Sequence, residues 1–149
     1  MANGIGAHAE GYNTQANGNN SHSEGYNTKA EAIRAHAEGS DSIAYGIGSH
    51  AEGVNTSTGK INGTTGYGAH SEGENTNALG RASHSEGNGT HAEGSYSHAE
   101  GGSTWATASF SHTENYGTKA KGQGSHAEGY NSIANGNYSH AEGSSQSAG

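Results

Sequence analysis

Fourteen residues decide the fold of this chain: positions 14–27 read TQANGNNSHSEGYN, and close variants of this stretch follow one another along the sequence. Each stretch holds two copies of a seven-residue unit, S/T-x-A/S-x-G-x-x, of which one carries His and Glu at its variable positions. Successive histidines lie 14, 14, 14, 20, 14, 7, 7, 14, 14 and 14 residues apart. A fixed short period is typical of solenoid proteins, in which each repeat forms one coil.

Each seven-residue unit predicts a short strand followed by a corner. Small and variable residues alternate over five positions, and the next two are turn formers such as Tyr12-Asn13 or Asn19-Asn20. A helix is disfavoured because a glycine in nearly every unit costs it about 1 kcal/mol each. The small residues share one strand face and fit a narrow interior, so the variable residues point outward. We therefore predict an all-β parallel roll, or solenoid, of 14-residue coils with two five-residue strands per coil.

The composition excludes several classes of protein. Hydrophobic residues make up 28% of the sequence, so we expect a single repeat domain over residues 1–149 without a large apolar core. No cysteine is present, which excludes disulfides and thiolate metal sites. A net charge of -8 argues against nucleic acid as a partner, and no apolar run is long enough to predict membrane insertion. No signal peptide is recognisable, so an extracellular location would need another export route.

The two outer faces of the predicted roll differ in variety. One repeats His and Glu in coil after coil, whereas the other presents residues as different as Gln15, Lys29 and Ile43. A solvent face tolerates such variety, so we expect the repeated face to contact a partner, most simply another copy in a closed oligomer. The predicted ladder has ten pairs: His8/Glu10, His22/Glu24, His36/Glu38, His50/Glu52, His70/Glu72, His84/Glu86, His98/Glu100, His112/Glu114, His126/Glu128 and His140/Glu142.

The paired S-x-A-x-G-x-x unit resembles the head repeats of trimeric autotransporter adhesins, and it is similar to repeats of bacterial-virus tail and surface-fibre proteins. The resemblance covers about residues 5–148. It implies a left-handed parallel β-roll, three copies of which pack about a common axis as a homotrimer. In the adhesin heads the axial positions are apolar, whereas the matching positions here, such as His22 and Glu24, are polar. The resemblance also implies an extracellular, cell-surface or virion location.

Two irregularities interrupt the period. His91 lies seven residues from both neighbouring histidines, which places it and Glu93 on the opposite outer face, where we expect them and Trp105 to be exposed. Six extra residues between His50 and His70 fall within 57–68 and include Asn62-Gly63, a tight-turn signal. These extra residues predict a surface loop or, alternatively, a projecting contact loop. Trp105, Asn62 and Gly63 are therefore the candidate contacts with a host glycan or protein.

The repeated His and Glu residues allow two chemical interpretations. Imidazole and carboxylate are good ligands for zinc, nickel or copper. A ladder in which each His donates a hydrogen bond to a Glu of a neighbouring chain suits so many copies better, so we predict no metal site and no cofactor. Catalysis lacks support because the sequence shows no nucleophile with an orienting base and no phosphate loop.

These observations favour a non-catalytic structural fibre protein. Two alternatives stay open: an adhesin-type module that binds host glycan or matrix through the outer face, and a His/Glu metal-binding assembly. Repeat material reaches both ends of the chain, so we also expect either head-to-tail stacking into filaments or capping by domains of a longer protein.

Overall fold

The computed structural model describes residues 1–60 and 65–149, which form an all-β parallel solenoid of about ten coils with about 14 residues per turn. The predicted loop residues Asn62 and Gly63 lie outside the described residues. The part of the chain that is described contains two ten-stranded sheets and no helix. In particular, nothing in these two ranges is a helix with the length and apolarity needed to cross a membrane.

Odd-numbered strands form the first sheet and even-numbered strands form the second, so the chain alternates between them. The first sheet contains β1 (His8–Tyr12), β3 (His22–Tyr26), β5 (His36–Ser40), β7 (His50–Val54), β9 (His70–Glu74), β11 (His84–Asn88), β13 (His98–Ala99), β15 (His112–Thr113), β17 (His126–Ala127) and β19 (His140–Ala141). The second contains β2 (Gln15–Ala16), β4 (Lys29–Ala30), β6 (Ile43–Ala44), β8 (Ser57–Thr58), β10 (Asn77–Ala78), β12 (His91–Ala92), β14 (Trp105–Ala106), β16 (Lys119–Ala120), β18 (Ile133–Ala134) and β20 (Ser147–Ala148).

The predicted strand length of five residues is correct only for β1 to β11 of the first sheet. Every strand of the second sheet has two residues, because the chain bends directly after the second one, which is an alanine in all of them except β8, where it is Thr58. At this bend the N–H groups of Asn17 and Gly18 both donate to the carbonyl of Ala30. Two residues of one coil then share a single acceptor in the next coil, so the regular hydrogen bonding between the strands ends there. The N–H of Ser21 then donates to the carbonyl of Gly18 and closes the corner.

Small residues fill the space between the two sheets, as the sequence predicts. Alanines such as Ala37 and Ala127 are fully buried, and so are many serines and threonines. The buried hydroxyls pair with each other between the sheets, for example Ser71 with Thr76 at 2.8 Å and Ser49 with Thr58 at 2.6 Å. Buried polar groups are tolerated when they are paired, so this interior combines methyl groups with paired hydroxyls, although Oγ1 of the buried Thr113 has no hydrogen-bond partner.

Glycine occupies all but one of the positions where the first sheet turns into the corner. Gly39 has a φ of +96°, and a Cβ atom there would lie 2.1 Å from the carbonyl oxygen of Gly53 in the next coil. Asn115 takes this position in one coil with a φ of 73°, which asparagine tolerates better than most residues. Asparagine side chains at the corner also form hydrogen bonds between adjacent coils. Nδ2 of Asn13, for example, donates to Oδ1 of Asn27 at 2.8 Å.

Candidate functional site: the histidine–glutamate ladder

The ten predicted pairs form two neighbouring columns on the outer side of the first sheet. His8 pairs in register with His22, and the histidine register continues from coil to coil as far as His140. The centroids of adjacent imidazole rings lie 4.5–5.0 Å apart. The ring planes of each adjacent pair are within 11° of parallel, except for His8 and His22, whose planes are tilted by 34°. The spacing equals the parallel-strand repeat of about 4.8 Å, so strand pairing sets the ring spacing. We call these two columns the ladder.

Every ladder histidine from His22 to His140 has a carboxylate of its own chain within 3.9 Å of its Nε2. Nε2 of His50 lies 3.6 Å from Oε1 of Glu38 in the preceding coil and 3.5 Å from Oε2 of Glu52 in the same coil. Oε1 of Glu52 is in turn 3.9 Å from Nε2 of His70. Glu52 therefore bridges two imidazoles through its two oxygens, and Glu38 does the same between His36 and His50. The sequence predicted contacts with a neighbouring chain, but in-register stacking already places a carboxylate of the same chain beside Nε2.

The ladder is tighter in its last coils than elsewhere. Nε2 of His126 and Oε1 of Glu114 are 3.1 Å apart, and Nε2 of His140 and Oε1 of Glu128 are 3.0 Å apart, so both pairs are hydrogen-bonded. In the preceding coils the separations are 3.5–3.9 Å, which is too long for a hydrogen bond. There Nε2 is occluded from solvent without a hydrogen-bond partner at His22, His36, His50, His70, His84, His98 and His112.

Hydrogen bonding between neighbouring carboxyls alters the protonation of the glutamates. Hydrogen bonds with Glu72 and Glu38 raise the pKa of Glu52 to about 7. The same interactions lower the pKa of Glu38 and Glu72, because a hydrogen bond from the neutral Glu52 carboxyl stabilises the charged form of the carboxylate that accepts it. Glu86 repeats this behaviour, and its pKa is also raised to about 7. Alternate carboxyls of this stretch are therefore poised to hold a proton near neutral pH, and the column titrates as a coupled set.

The histidines respond in the opposite sense. Burial lowers the pKa of His50, and the neighbouring His70 ring lowers it further. Burial is also the largest cause of a lowered pKa at His36, His70 and His98. Glutamates nearby offset part of this shift at His36 and His98. The imidazoles of these coils therefore favour the neutral form, which offers a ring nitrogen as acceptor or ligand.

A groove of about 940 Å³ follows the glutamate column along the solenoid axis. It is lined by the glutamates from Glu10 to Glu100 and by the glycine after each of them. These glycines lack a Cβ, which leaves the space open. A glycine follows nearly every ladder glutamate in the sequence, and this pattern could have indicated the groove. From the sequence, however, we predicted only a corner at these positions.

His91 lies on the opposite outer face, as predicted, but its side chain is less exposed than predicted. His91 pairs with Trp105 on the second sheet, and their rings stack with centroids 3.9 Å apart. This stacking leaves both side chains half-buried, whereas Glu93 is exposed as predicted. Aromatic rings also stack at the corners, for example Tyr12 on Tyr26 at 5.3 Å. The 14-residue spacing of these tyrosines was the signal that would have predicted their contact.

Comparison with known proteins yields no assignment, since no protein-family model and no curated protein matches this chain. Its chemistry must therefore be argued from the ladder itself. The ladder brings together groups of three potential metal ligands within 4.8 Å of one another, such as His36, Glu38 and His50. Stacked imidazoles beside hydrogen-bonded carboxyls can form a polar contact surface or hold cations.

Proposed function

We propose that this chain is a non-catalytic structural fibre protein of a cell surface, an extracellular filament or a virion, and that it assembles as a homotrimer through its ladder. The observation that carries the proposal is the contrast between the two outer columns. One keeps stacked His and Glu from His8 to Glu142 without a break, and the other changes residue in nearly every coil. A β-solenoid with such a regular ladder suits a structural repeat protein.

Partial exposure of the ladder supports contact with a second copy. The side chains of His50 and Glu52 remain 34% and 31% exposed in a single chain, although their Nε2–carboxylate contacts are internal. Among residues 1–60 and 65–149, no ladder histidine makes a hydrogen bond through Nδ1. Nδ1 is thus available to a carboxylate or water of a neighbouring copy. The resemblance of the repeat to trimeric adhesin heads supports three copies and a left-handed coil.

The mass of the assembly tests this proposal. Light scattering should give about three times the chain mass of 15.0 kDa, and electron microscopy should show rods about 50 Å long for ten coils, or longer if they stack end to end. Glu86→Arg should dissociate the assembly, because it puts a larger and permanently charged group at the axis where the raised pKa of Glu86, about 7, allows a neutral carboxyl. Glu93→Arg is the matched control, since it lies in the same local motif on the opposite face.

Two results would count against the proposal. A monomeric wild-type chain at all practical concentrations would exclude the ladder as an interface in the isolated protein. Equal loss of assembly in Glu86→Arg and Glu93→Arg would mean that the contact surface is not confined to the ladder. Circular dichroism of both variants keeps a folding defect separate from a loss of contact.

Recognition of a host glycan through the outer face is the rival proposal. Trp105 is its candidate contact, but one face of the indole is covered by His91, so only the other face and the edge can meet a sugar. A glycan-array screen of wild type and Trp105→Ala would detect such binding. Ligand loss in the variant with unchanged assembly would favour the adhesin-type module over a purely structural fibre.

A further inference from the structure

We propose that the ladder takes up divalent transition-metal ions along its length, each held by one histidine Nε2 and by carboxylate oxygens of the glutamates on either side. The inference does not depend on the trimer, because all the ligands of a site come from one chain. Its central observation is the row of occluded Nε2 atoms without a hydrogen-bond partner from His22 to His112. An unsatisfied polar atom of this kind calls for an unseen water or ion.

The distances fit an ion between the ligands better than a direct hydrogen bond. Nε2 of His50 lies 3.6 Å from Oε1 of Glu38 and 3.5 Å from Oε2 of Glu52. Zinc binds nitrogen and oxygen at about 2.0–2.2 Å, so two ligands of one tetrahedral ion are about 3.4 Å apart, and about 3.6 Å apart at an angle of about 120°. The ladder therefore holds its donors at the separation of two ligands of one ion.

Parallel stacking of the imidazoles limits each ion to one ring. The rings of His50 and His70 are 4.9 Å apart and only 1° from parallel, so their Nε2 lone pairs point the same way and do not converge. Carboxylates converge instead: Glu38 and Glu52 each present one oxygen to the ring of their own coil and the other to the ring of the next coil, so His50 has an oxygen from each of them within 3.6 Å. The group Glu72, His84 and Glu86 illustrates the set, with all three ligand atoms within 4.8 Å.

The donor chemistry selects the class of ion. One imidazole and two carboxylates, without a thiolate, favour borderline ions such as Zn²⁺, Ni²⁺ and Cu²⁺ over Mg²⁺ and Ca²⁺, which prefer oxygen ligands alone. Three protein ligands leave a fourth position for water. Since Glu38 and Glu52 each contact two rings, ions at neighbouring levels would share a carboxylate there, and the repeat of the ladder would align the ions parallel to the solenoid axis.

Metal is not needed for the fold in this scheme. Continuous backbone hydrogen bonds join every pair of neighbouring coils, such as the N–H of His36 to the carbonyl of Ser49 at 2.9 Å. The chelated protein should therefore stay folded, and added zinc should raise its melting temperature because the ion binds the folded state. This behaviour differs from that of a structural zinc domain, which unfolds when the metal is removed.

Zinc titration of the chelator-treated protein tests the proposal. Elemental analysis after gel filtration should find several Zn²⁺ ions per chain. The combined variant H36Q, H50Q and H70Q should lose about a third of the bound zinc, since it removes three of ten ladder imidazoles. The single variants His84→Gln and His91→Gln form a matched pair, because both sit in the same local motif on opposite faces. Only His84→Gln should lower the capacity.

Cobalt gives an independent readout of the ligands. Co²⁺ bound to one nitrogen and several oxygens in a four-coordinate site should show strong visible ligand-field bands, which the combined variant should weaken in proportion to its lost sites. Glu86→Gln removes a ligand oxygen's charge with little change of volume, so it tests the carboxylates if a histidine variant folds poorly. Binding of one ion per chain or fewer, or equal losses from His84→Gln and His91→Gln, would overturn the proposal.

Discussion

The ring of His91 lies against the indole of Trp105 with their centroids 3.9 Å apart and their planes 19° from parallel. The two residues are 14 positions apart and meet because β12 and β14 pair in register. Burial lowers the pKa of His91, although Glu93 offsets part of the shift. Trp105 covers one face of the imidazole, so this tryptophan contributes to the desolvation.

Trp105→Ala should therefore raise the pKa of His91 toward its ordinary value of 6.5. Removing the indole exposes the ring to water, which stabilises the charged imidazolium. The shift can be followed by nuclear magnetic resonance titration of the His91 ring protons. Ile133→Ala, two coils away in the same column, is the control and should leave the titration unchanged.

Acid should destabilise the protein in metal-free buffer. The pKa values of His50 and Glu38 are both lowered by folding, so each group contributes stability that is lost as the pH falls, below about 6.5 for the histidine and below about 4.5 for the glutamate. Glu52 opposes this trend only between its raised pKa of about 7 and 4.5. Thermal unfolding should therefore show a steep loss of stability below pH about 4.5. A melting temperature that is constant down to pH about 3 would contradict this expectation.

Glu52→Gln should make the protein more stable above neutral pH. The raised pKa of Glu52 means that its neutral form is favoured in the fold, and this stability is lost as the pH rises through about 7. The amide keeps the neutral state at every pH, so the gain should be on the order of 1 kcal/mol above pH about 8, after allowance for solvent screening, and vanish near pH 5. Glu93→Gln serves as the control. A difference between Glu52→Gln and wild type that does not change with pH would exclude the raised pKa.

Two glycine variants should separate backbone strain from steric clash. Gly48 has a φ of +64° with no atom within 4 Å of its would-be Cβ, so Gly48→Ala should cost about 1 kcal/mol of unfolding free energy. Gly39 has a φ of +96°, and its would-be Cβ meets the Gly53 carbonyl at 2.1 Å, so Gly39→Ala should cost several times more. Denaturant unfolding of both variants measures the difference. Equal costs would mean that neighbouring coils yield to the added methyl group.

The buried hydroxyl pair of Ser71 and Thr76 should show strong coupling. Their oxygens are 2.8 Å apart and both residues are fully buried. Thr76→Val leaves the serine hydroxyl without its partner and should cost about 1–3 kcal/mol. Adding Ser71→Ala should recover much of this loss, because both polar groups are then absent. A double-mutant cycle by denaturant unfolding measures the coupling, and strictly additive costs would show that the pair is not a unit.

Periodicity made most of the fold predictable. The spacing of 14 residues fixes which residues pair, so it correctly places His22 on His36 and moves His91 to the other sheet. The small interior follows from the same pattern. The strand lengths could not be predicted, because they depend on the shared acceptor at Ala30, a detail of the bend that the residue types do not reveal.

The ladder was predictable as a set of residues but not as a set of contacts. Which carboxylate meets the Nε2 of His50 depends on side-chain rotamers, and the raised pKa of Glu52 depends on separations between carboxyls of adjacent coils. The spacing of the residues in the sequence determines neither the rotamers nor these separations. The half-burial of His91 was within reach of the sequence, since Trp105 lies one full period away.

Pairing across the irregular spacing has a consequence for how the chain can be extended. His50 pairs with His70, and Ser57 with Asn77, in the register used elsewhere although 20 residues separate them. The pairing register is thus the same for coils of different length. Duplicating a 14-residue coil should therefore lengthen the solenoid by about 4.8 Å without changing the register of the neighbouring coils. The number of coils, and not the number of residues, therefore sets the length of the solenoid.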